Sequence, residues 1–532
     1  MKERWRRHLF VVLRVARPVI ILAGLGAVFY LGIHSERTGF VRDVLSPGLK
    51  RFTLPVLNAL RDDQARPERL DLVIPAATLD SLRAIRDRAM EAGVLDEGKD
   101  DWDTVQVVWK GDTIDARLRL KGGLTDHLST RKWSFRIQLL DSGSVMGMRT
   151  FSLQHPNTRN FTYEWLFHRA CADQGLGGLR YAFLEVHVND KDLGTYALEQ
   201  HFDQSLLDSL RLGRVPVIKF DDESRIAVLR QMNERSFDSE LPIQATWQAS
   251  PVDVFHSREV LADPVRAARF QKAVLQLEGF RSGALPTGRV FDIALLSRFF
   301  ALCDLLGAQH ATDWRNLRFV PDTVSGLLRP IGFDANAGSP IPALRVLREM
   351  GPVDGSNTRT GFFDRLYADT AFYTSYIHYV DSFSTNGFLE GLLERITPGL
   401  DRQLALIHAE FPNFQHDPAV FLHDRTVMRQ TLHPRDPALA YLVSVGPVRA
   451  ELALANVNAL PLECTHLLVD GDTLELDGPV TLAPLDASEP LRYVRLRADM
   501  PTRSSGTIKV AFRLVGMREL HWTKVHPWTT IR

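Results

Sequence analysis

The sequence predicts an α+β protein in which a β-rich unit is followed by a helical unit and a C-terminal β-sandwich, behind an N-terminal membrane helix. A basic N-terminus precedes an apolar run, apolar spacing changes from alternating to helical near residue 290, and alternation returns towards the C-terminus. The length of 532 residues suits two to four folded units. Basic and acidic side chains balance at 64 each, which gives no reason to expect a nucleic-acid partner.

Residues 1–34 are predicted to form a basic cytoplasmic tail and a transmembrane anchor. The run "PVIILAGLGAVFYLGI" has 16 residues, slightly short for a bilayer core of about 30 Å, but Arg14 and Arg17 can snorkel and lengthen the span. A cleaved signal peptide is the alternative, although "LGIHSERTGF" lacks the small residues of a good cleavage site. Because the basic residues precede the run, we expect a single-pass protein of the inner (plasma) membrane with an extracytoplasmic body, joined by a stalk at residues 35–66.

Residues 67–210 are predicted to form the β-rich unit. "LDLVIP" is a strand, and "TLDSLRAIRDRAMEAG" a helix with Thr78 as its N-cap and Gly93 just past its end. "TVQVVWKGDTIDARLRLKGG" and "KWSFRIQLL" alternate as a meander of strands. A helix capped by Asn160 follows, and "YAFLEVHVNDKDLGTYALEQHF" is a hairpin with its turn at "NDKD". The sequence therefore predicts an antiparallel sheet interrupted by helices.

Residues 211–430 are predicted to be mainly helical, and residues 440–532 to be a β-sandwich-like domain. "VFDIALLSRFFALCDLLG" has helical apolar spacing, whereas "DTLELDG", "LRYVRLRA" and "GTIKVAFRLVG" alternate. In the last of these, one face is expected to carry Ile508, Val510, Phe512 and Leu514. The three cysteines have no CxxC spacing and the histidines form no i, i+4 pair, so no metal site of those kinds is predicted.

Two polar residues stand at the ends of a predicted hairpin, "NLRFVPDTVSGLLRPIGFD", inside the helical unit. Asn316 opens it, Asp334 ends it, and Asn336 follows two residues later. Their oxygens are hard ligands of the kind that Mg²⁺ takes, and the crowded charge of a nucleoside triphosphate requires such a metal. The alternative is that Asn316 and Asp334 are hairpin caps that bind nothing.

The candidates for binding phosphate are Lys121, Lys132 and Arg136. Lys132 and Arg136 are four residues apart in one predicted strand, so both side chains are expected on the same face. A solvated basic strand edge is the alternative interpretation. The residues alone do not choose which of the three meets a nucleotide.

Several runs together resemble the spore-coat protein H (CotH) kinase family. They are "RLKGGLTDHLSTRKWSFRIQLL", "GMRTFSL", "LEVHVNDKDLGTYALEQHF" and "NLRFVP…LLRPIGFDANAG", in family order over roughly residues 68–340. The resemblance implies a kinase-like two-lobed body with a β-rich N-lobe and a helical C-lobe. It also implies phosphoryl transfer from ATP, with Mg²⁺, to a protein or cell-envelope component.

The resemblance also implies roles for individual residues. Asp334 would hold the metal, Glu164 would brace the nucleotide lysine, and Glu199 would lie at the nucleotide edge. Each acidic residue has a plainer alternative, because Glu164 is favoured in the first turn by the helix dipole and Glu199 can brace the two lobes.

The chain departs from the kinase pattern at the catalytic base. A kinase-like catalytic loop has an aspartate five residues before the metal-binding asparagine, and here that position is Ala311. Asp313 and His310 are the remaining candidates for orienting the acceptor hydroxyl. A catalytically inactive kinase-like scaffold or binding protein in cell-envelope assembly is therefore the alternative function. A third is a carbohydrate- or polymer-binding protein that acts through its β-sandwich.

Overall fold

The computed structural model describes residues 65–95, 102–222, 247–348, 361–446, 448–485, 490–499 and 507–527, and the single positions 30, 32 and 54. Within that part of the chain, no helix is both long enough and apolar enough to cross a membrane. The predicted tail, anchor and stalk at residues 1–66 lie outside the described residues, apart from those three positions and residues 65 and 66.

A closed barrel of seven strands forms the first unit, in the order β1-β2-β3-β4-β5-β7-β6. The strands are Arg69–Val73 (β1), Asp103–Trp109 (β2), Asp112–Leu120 (β3), Phe135–Leu139 (β4), Thr150–Gln154 (β5), Tyr181–Val188 (β6) and Lys191–Gln200 (β7). Neighbouring strands are antiparallel except at the closure, where β1 pairs parallel with β6 and Leu70 lies opposite Val186. Closure leaves the barrel with no free edge.

Local sequence explains the barrel's hairpins. Lys110 and Gly111 join β2 to β3 with φ of 54° and 93°, and Asn189 and Asp190 join β6 to β7 with φ of 47° and 63°. Two consecutive residues of positive φ make the tight turn that matches the twist of paired strands. The apolar side chains of alternate strand positions then fill the interior, as at Ile114, Ala116, Leu118 and Leu120 of β3.

Two helices belong to the barrel unit, and both begin elsewhere than predicted. Helix α1 (Ala76–Ala92) follows the N-cap Pro75, so Thr78 lies inside it, although Gly93 does end it with φ of 74°. Helix α2 (Thr162–Asp173) has Phe161 as its N-cap. Asn160 instead takes a left-handed conformation and donates its Nδ2 hydrogen to the backbone oxygen of Ala337, 2.7 Å away.

The helical unit contains nine helices among the described residues and a small sheet of order β11-β10-β8-β9. The helices are Gln204–Ser209 (α3), Ser257–Ala262 (α4), Pro264–Ser282 (α5), Ile293–Leu305 (α6), Arg345–Arg348 (α7), Phe362–Ala368 (α8), Thr370–Ser384 (α9), Phe388–His408 (α10) and Ala419–Leu432 (α11). The strands are Ile218–Phe220 (β8), Val252–Val254 (β9), Arg318–Pro321 (β10) and Leu328–Ile331 (β11). Strands β10 and β11 are the predicted hairpin, with Arg318 opposite Ile331.

The C-terminal part forms two four-stranded sheets, β16-β13-β12-β19 and β15-β14-β17-β18. Their strands are Ala438–Val445 (β12), Arg449–Asn456 (β13), Leu462–Val469 (β14), Asp472–Leu482 (β15), Val494–Asp499 (β16), Ile508–Leu514 (β17), His521–Lys524 (β18) and His526–Pro527 (β19). The four residues expected on one face of β17 are all buried. They belong to the same apolar core as helices α6, α8 and α9.

The predicted fold class, a kinase-like two-lobed body, is wrong, and the transmembrane helix predicted with it lies outside the described residues. The first unit closes into a barrel that has its own apolar core, and a second continuous core joins the helices to the C-terminal sheets. Alternating apolar residues predicted several strands, such as β2 and β3, but carry no information about which strands pair. The parallel β1–β6 pair that closes the barrel joins segments more than one hundred residues apart.

Candidate functional site

A buried ion pair lies at one end of the barrel, where β3 and β7 finish. Nζ of Lys121 lies 2.9 Å from Oε2 of Glu199 and donates a second hydrogen to Oε1 of Gln154 at 2.8 Å. Burial lowers the pKa of Lys121 to about 8, with Glu199 opposing the shift. Burial raises the pKa of Glu199, but the charges of Lys121 and Arg159 outweigh it and hold that pKa below its usual value. Both groups are therefore charged at neutral pH.

Asp334 lies in the same buried region, three residues beyond β11. Nη2 of Arg159 lies 3.0 Å from its Oδ2. Nδ1 of His310 lies 2.7 Å from the backbone oxygen of Asp334 and 3.3 Å from its Oδ1. Because Nδ1 carries at most one hydrogen, the nearer backbone oxygen takes it. Oδ1 is then a buried carboxylate oxygen with no hydrogen-bond partner among the described residues.

The ionisation of Asp334 and His310 follows from their contacts. Burial would raise the pKa of Asp334, but the charge of Arg159 and the contact with His310 hold it far below its usual range. Burial would lower the pKa of His310, but the nearby Asp334 carboxylate and the hydrogen bond to the Asp334 backbone oxygen raise that pKa above 6.5. Asp334 is accordingly an anion at every physiological pH, and the pKa of His310 lies above its usual value.

The backbone after β11 is held in an uncommon conformation. Asp334 and Asn336 have φ of 51° and 46°, in the left-handed region that costs a non-glycine residue about 1 kcal/mol or more. The buried carboxyl of Glu164 on α2 accepts the N–H groups of Ala335 and Asn336, each at 2.9 Å. The bond from Asn160 to Ala337 holds the next residue. Helix α2 and the turn before it therefore set the position of the Asp334 carboxylate.

Gly307, at the end of α6, lets this segment pack closely. Its φ is 58°, and a Cβ there would lie 2.1 Å from the backbone oxygen of Ser339. Gly307→Ala is therefore expected to lower the free energy of unfolding by about 2 kcal/mol or more, measured by urea denaturation. Gly391→Ala in α10 is the matched control, because its Cβ meets only an arginine end at 3.4 Å and should stabilise by about 0.5–1 kcal/mol. Equal effects of the two substitutions would contradict the assignment of Gly307.

His310, Asp313 and Asn336 line an open cavity of about 390 Å³, whereas Asn316 is not among its lining residues. Nδ2 of Asn316 donates to the backbone oxygen of His310 at 2.9 Å. Asp313 is bound by two arginines, with Arg345 at 2.7 Å and Arg315 at 3.4 Å. The cavity is lined by residues that include His310, Asp313, Trp314, Asn336, Arg345 and Phe363. A ligand in this cavity would therefore meet His310 and Asn336, whereas Asp334 is not among the residues that line it.

The structure brings most of the predicted residues together but separates Lys132 from them. Lys132 precedes β4 and does not lie on it, so it does not share a strand face with Arg136 as expected. Its Nζ lies 2.6 Å from Oε2 of Glu410 and 2.8 Å from the backbone oxygen of Thr195. Arg136 does lie on β4, and its charge lowers the pKa of Lys121. Of the two lysines, Lys121 is the one beside the candidate site.

Two features of the site were not predicted from the sequence. The brace of the buried lysine is Glu199, whereas Glu164 binds backbone groups. Arg159, which pairs with Asp334, was not a candidate at all. It lies in "PNTRN", where proline and asparagine indicate a turn, and nothing there marks one side chain as facing inwards.

No protein-family model matches the chain, and no curated protein matches it. The resemblance to the CotH kinase family therefore rests on the ordered motifs alone. The candidate site rests on the contacts of Lys121, Glu199, Arg159, Asp334 and His310.

Proposed function

We propose that the protein is a phosphotransferase that uses ATP and Mg²⁺ to phosphorylate a hydroxyl group of a protein or cell-envelope component. The observation that carries the proposal is Oδ1 of Asp334, an ionised and buried carboxylate oxygen without a hydrogen-bond partner among the described residues. Such an oxygen is costly to bury unless a cation binds it. The envelope as the place of the acceptor rests on the predicted anchor before residue 34.

The charge around Asp334 favours an anionic ligand. Four buried cations interact with it or with one another: Lys121, Arg136, Arg159 and Arg318. Glu199 and Asp334 are ionised carboxylates among them, and Asp222 and Asp126 also interact with these cations, whereas burial raises the pKa of Glu164 to about 8 and leaves it mostly protonated at neutral pH. The cations would offer charge-assisted hydrogen bonds to the phosphates of a nucleotide.

The side chains present fit a metal–nucleotide complex. Asp334 would bind the ion through Oδ1, and Asn316 has its amide nitrogen engaged by His310, which leaves the amide oxygen for a cation. Asn336 is exposed beside them and is a further oxygen ligand. Bound Mg²⁺ would supply neutralisation of the phosphate charge. Lys121 and Arg159 would hold phosphate oxygens, with Glu199 keeping the lysine charged and in place.

His310 is the group proposed to take the proton from the acceptor hydroxyl. Asp313 is less suited, because both of its carboxylate oxygens are bound by arginines. The side chain of His310 is 41 % exposed and lines the open cavity. Its Nδ1 donates to the backbone oxygen of Asp334, which leaves the Nε2 lone pair for the incoming hydroxyl.

The rate of transfer is expected to rise with pH through a pKa above 6.5. Only the neutral imidazole accepts a proton, and Asp334 raises the pKa of His310, so the protonated and inactive form predominates below that pKa. His310→Asn should lower the rate by about 10²–10⁴-fold and remove the acidic limb of the profile, measured as kcat/KM against pH.

His526→Asn is the control for this pH profile, because His526 is exposed on β19 in the C-terminal sheets. It should leave both the rate and the profile unchanged. An unchanged acidic limb in His310→Asn would show that another group takes the proton.

Binding and transfer are tested with the full chain. Calorimetry with ATP, with and without Mg²⁺, should give binding that needs the metal, and γ-labelled ATP should label the protein or an envelope extract. A folded chain with no affinity for ATP·Mg²⁺ would refute the proposal.

A nucleotide-binding scaffold without catalysis is the second candidate function. Two observations favour a scaffold without catalysis: arginines bind the carboxylate of Asp313, and position 311 is an alanine. It predicts metal-dependent ATP binding without transfer of label, and equal behaviour of the parent chain and His310→Asn.

A further inference from the structure

Far from Asp334 in the sequence, three potential metal ligands converge between the helices and the C-terminal sheets. His433 directly follows α11, and Glu519 and His521 lie at the start of β18. One ligand atom from each residue lies within 4.8 Å of the others. Nδ1 of His433 is 2.6 Å from Oε2 of Glu519, and the rings of the two histidines are 6.5 Å apart between centroids.

We propose that His433, Glu519 and His521 bind one divalent transition-metal ion, zinc by preference. Two imidazoles and one carboxylate form a donor set that zinc commonly takes, with a water molecule completing the tetrahedron. The proposal is independent of phosphotransfer, because none of these residues contacts the site around Asp334.

The orientation of His433 supports metal binding through Nδ1. Its Nε2 is buried without a hydrogen-bond partner in the described part of the chain, and it faces Oδ1 of Asp381 at 3.6 Å. Asp381, on α9, is itself held by Arg429 at 3.2 Å. The Asp381 carboxylate faces Nε2 of His433 and favours the tautomer with hydrogen on Nε2. That tautomer presents the Nδ1 lone pair to a metal.

An ion pair between His433 and Glu519 explains less of the geometry. It would account for the contact of 2.6 Å but not for the position of His521 beside both residues. Ligands of a tetrahedral zinc ion lie about 2.0–2.2 Å from the metal and so about 3.4 Å from one another. The ion therefore fits if His433 and Glu519 separate by less than about 1 Å as it enters between them.

The proposed ion would join two parts of the fold. His433 directly follows the last helix of the helical unit, whereas Glu519 lies between β17 and β18 and His521 begins β18. Metal binding would therefore stabilise the docking of the C-terminal sheets on the helices.

Two other groups of histidine and acidic side chains are found among the described residues. Glu164, His168 and Glu199 belong to the candidate site around Asp334, whereas Glu185, His187 and Asp192 lie on the barrel. The barrel group combines one histidine with two carboxylates, against two histidines and one carboxylate in the proposed site, so His187→Ala is the control for loss of a histidine at another such group.

The test measures zinc bound by the full chain after treatment with EDTA and dialysis against Zn²⁺. We expect about one equivalent in the parent, and at least about a 100-fold loss of affinity in His433→Ala and His521→Ala. Asp381→Asn should weaken binding by about 10–100-fold, as expected of a carboxylate that orients a metal-binding histidine. Co²⁺ in place of zinc should give the visible absorption of a tetrahedral site.

His187→Ala should bind zinc as tightly as the parent. Glu519→Gln, which keeps the side-chain shape, should also lose affinity, so that failed folding of an alanine variant is not mistaken for lost ligation. Absence of zinc in the parent, equal zinc in a His433→Ala/His521→Ala double variant, or equal loss in His187→Ala would each overturn the proposal.

Discussion

Asp334→Asn is expected to lower phosphoryl transfer by about 10³-fold and to remove the Mg²⁺ dependence of ATP binding. The amide has the shape of the carboxylate but not its charge, so Oδ1 no longer attracts a cation and Arg159 loses its partner anion. The measurement is ATP binding by calorimetry with and without Mg²⁺, together with the rate of label transfer.

The control for Asp334→Asn is Asp80→Asn, since Asp80 is an exposed residue of α1 whose ion pair among the described residues is with Arg83 in the next turn. It should leave both binding and transfer unchanged. If Asp334→Asn bound ATP with the same metal dependence as the parent, the metal would have to be held elsewhere. The proposed role of Asp334 would then be refuted, and its buried oxygen would be a structural feature of the hairpin.

Glu199→Ala is expected to lower the free energy of unfolding by about 3–5 kcal/mol, because it leaves the Lys121 ammonium buried without its carboxylate. Lys121 is 5 % exposed and Glu199 is 1 % exposed, so water cannot replace the lost partner. Urea denaturation followed by fluorescence measures the effect. The double variant Lys121→Met/Glu199→Leu should recover most of the lost stability, since an apolar pair of similar volume has no charge to bury.

The exposed ion pair of Arg449 and Asp499 is the control for this prediction. Asp499→Ala removes the partner of Arg449, and these side chains are 80 % and 72 % exposed, so it should cost at most about 1 kcal/mol. Recovery of stability in the double variant should not restore ATP binding, because the proposed phosphate-binding ammonium is gone. A loss in Glu199→Ala no larger than that in Asp499→Ala would contradict a buried ionised pair.

Features with a local cause were predictable from the sequence. The hairpin of β10 and β11 follows from two apolar runs around a turn, and its register sets Asn316 and Asp334 at the same end. The buried face of β17 follows from simple alternation. Such features depend on residues a few positions apart, whose preferences add within one element.

Features with a distant cause were not predictable in this way. Closure of the barrel needs β1 beside β6, the partner of Asp334 is Arg159, and the proposed metal ligands lie at positions 433, 519 and 521. None of these contacts leaves a periodic pattern or a fixed spacing in the sequence. The absence of a CxxC motif or an i, i+4 histidine pair thus excluded local metal motifs but not a site assembled from distant segments.

Lys121 and Lys132 show which features the sequence determined and which features the tertiary structure decided. The sequence by itself determined that a basic strand precedes a hairpin whose ends carry an asparagine and an aspartate. Only the tertiary structure decided that Lys121 meets Glu199 beside that hairpin, whereas Lys132 meets Glu410 from the turn after α10, far along the chain. The physical reason is that both lysines are equally basic, and a buried charge is specified by the partner that folding brings to it.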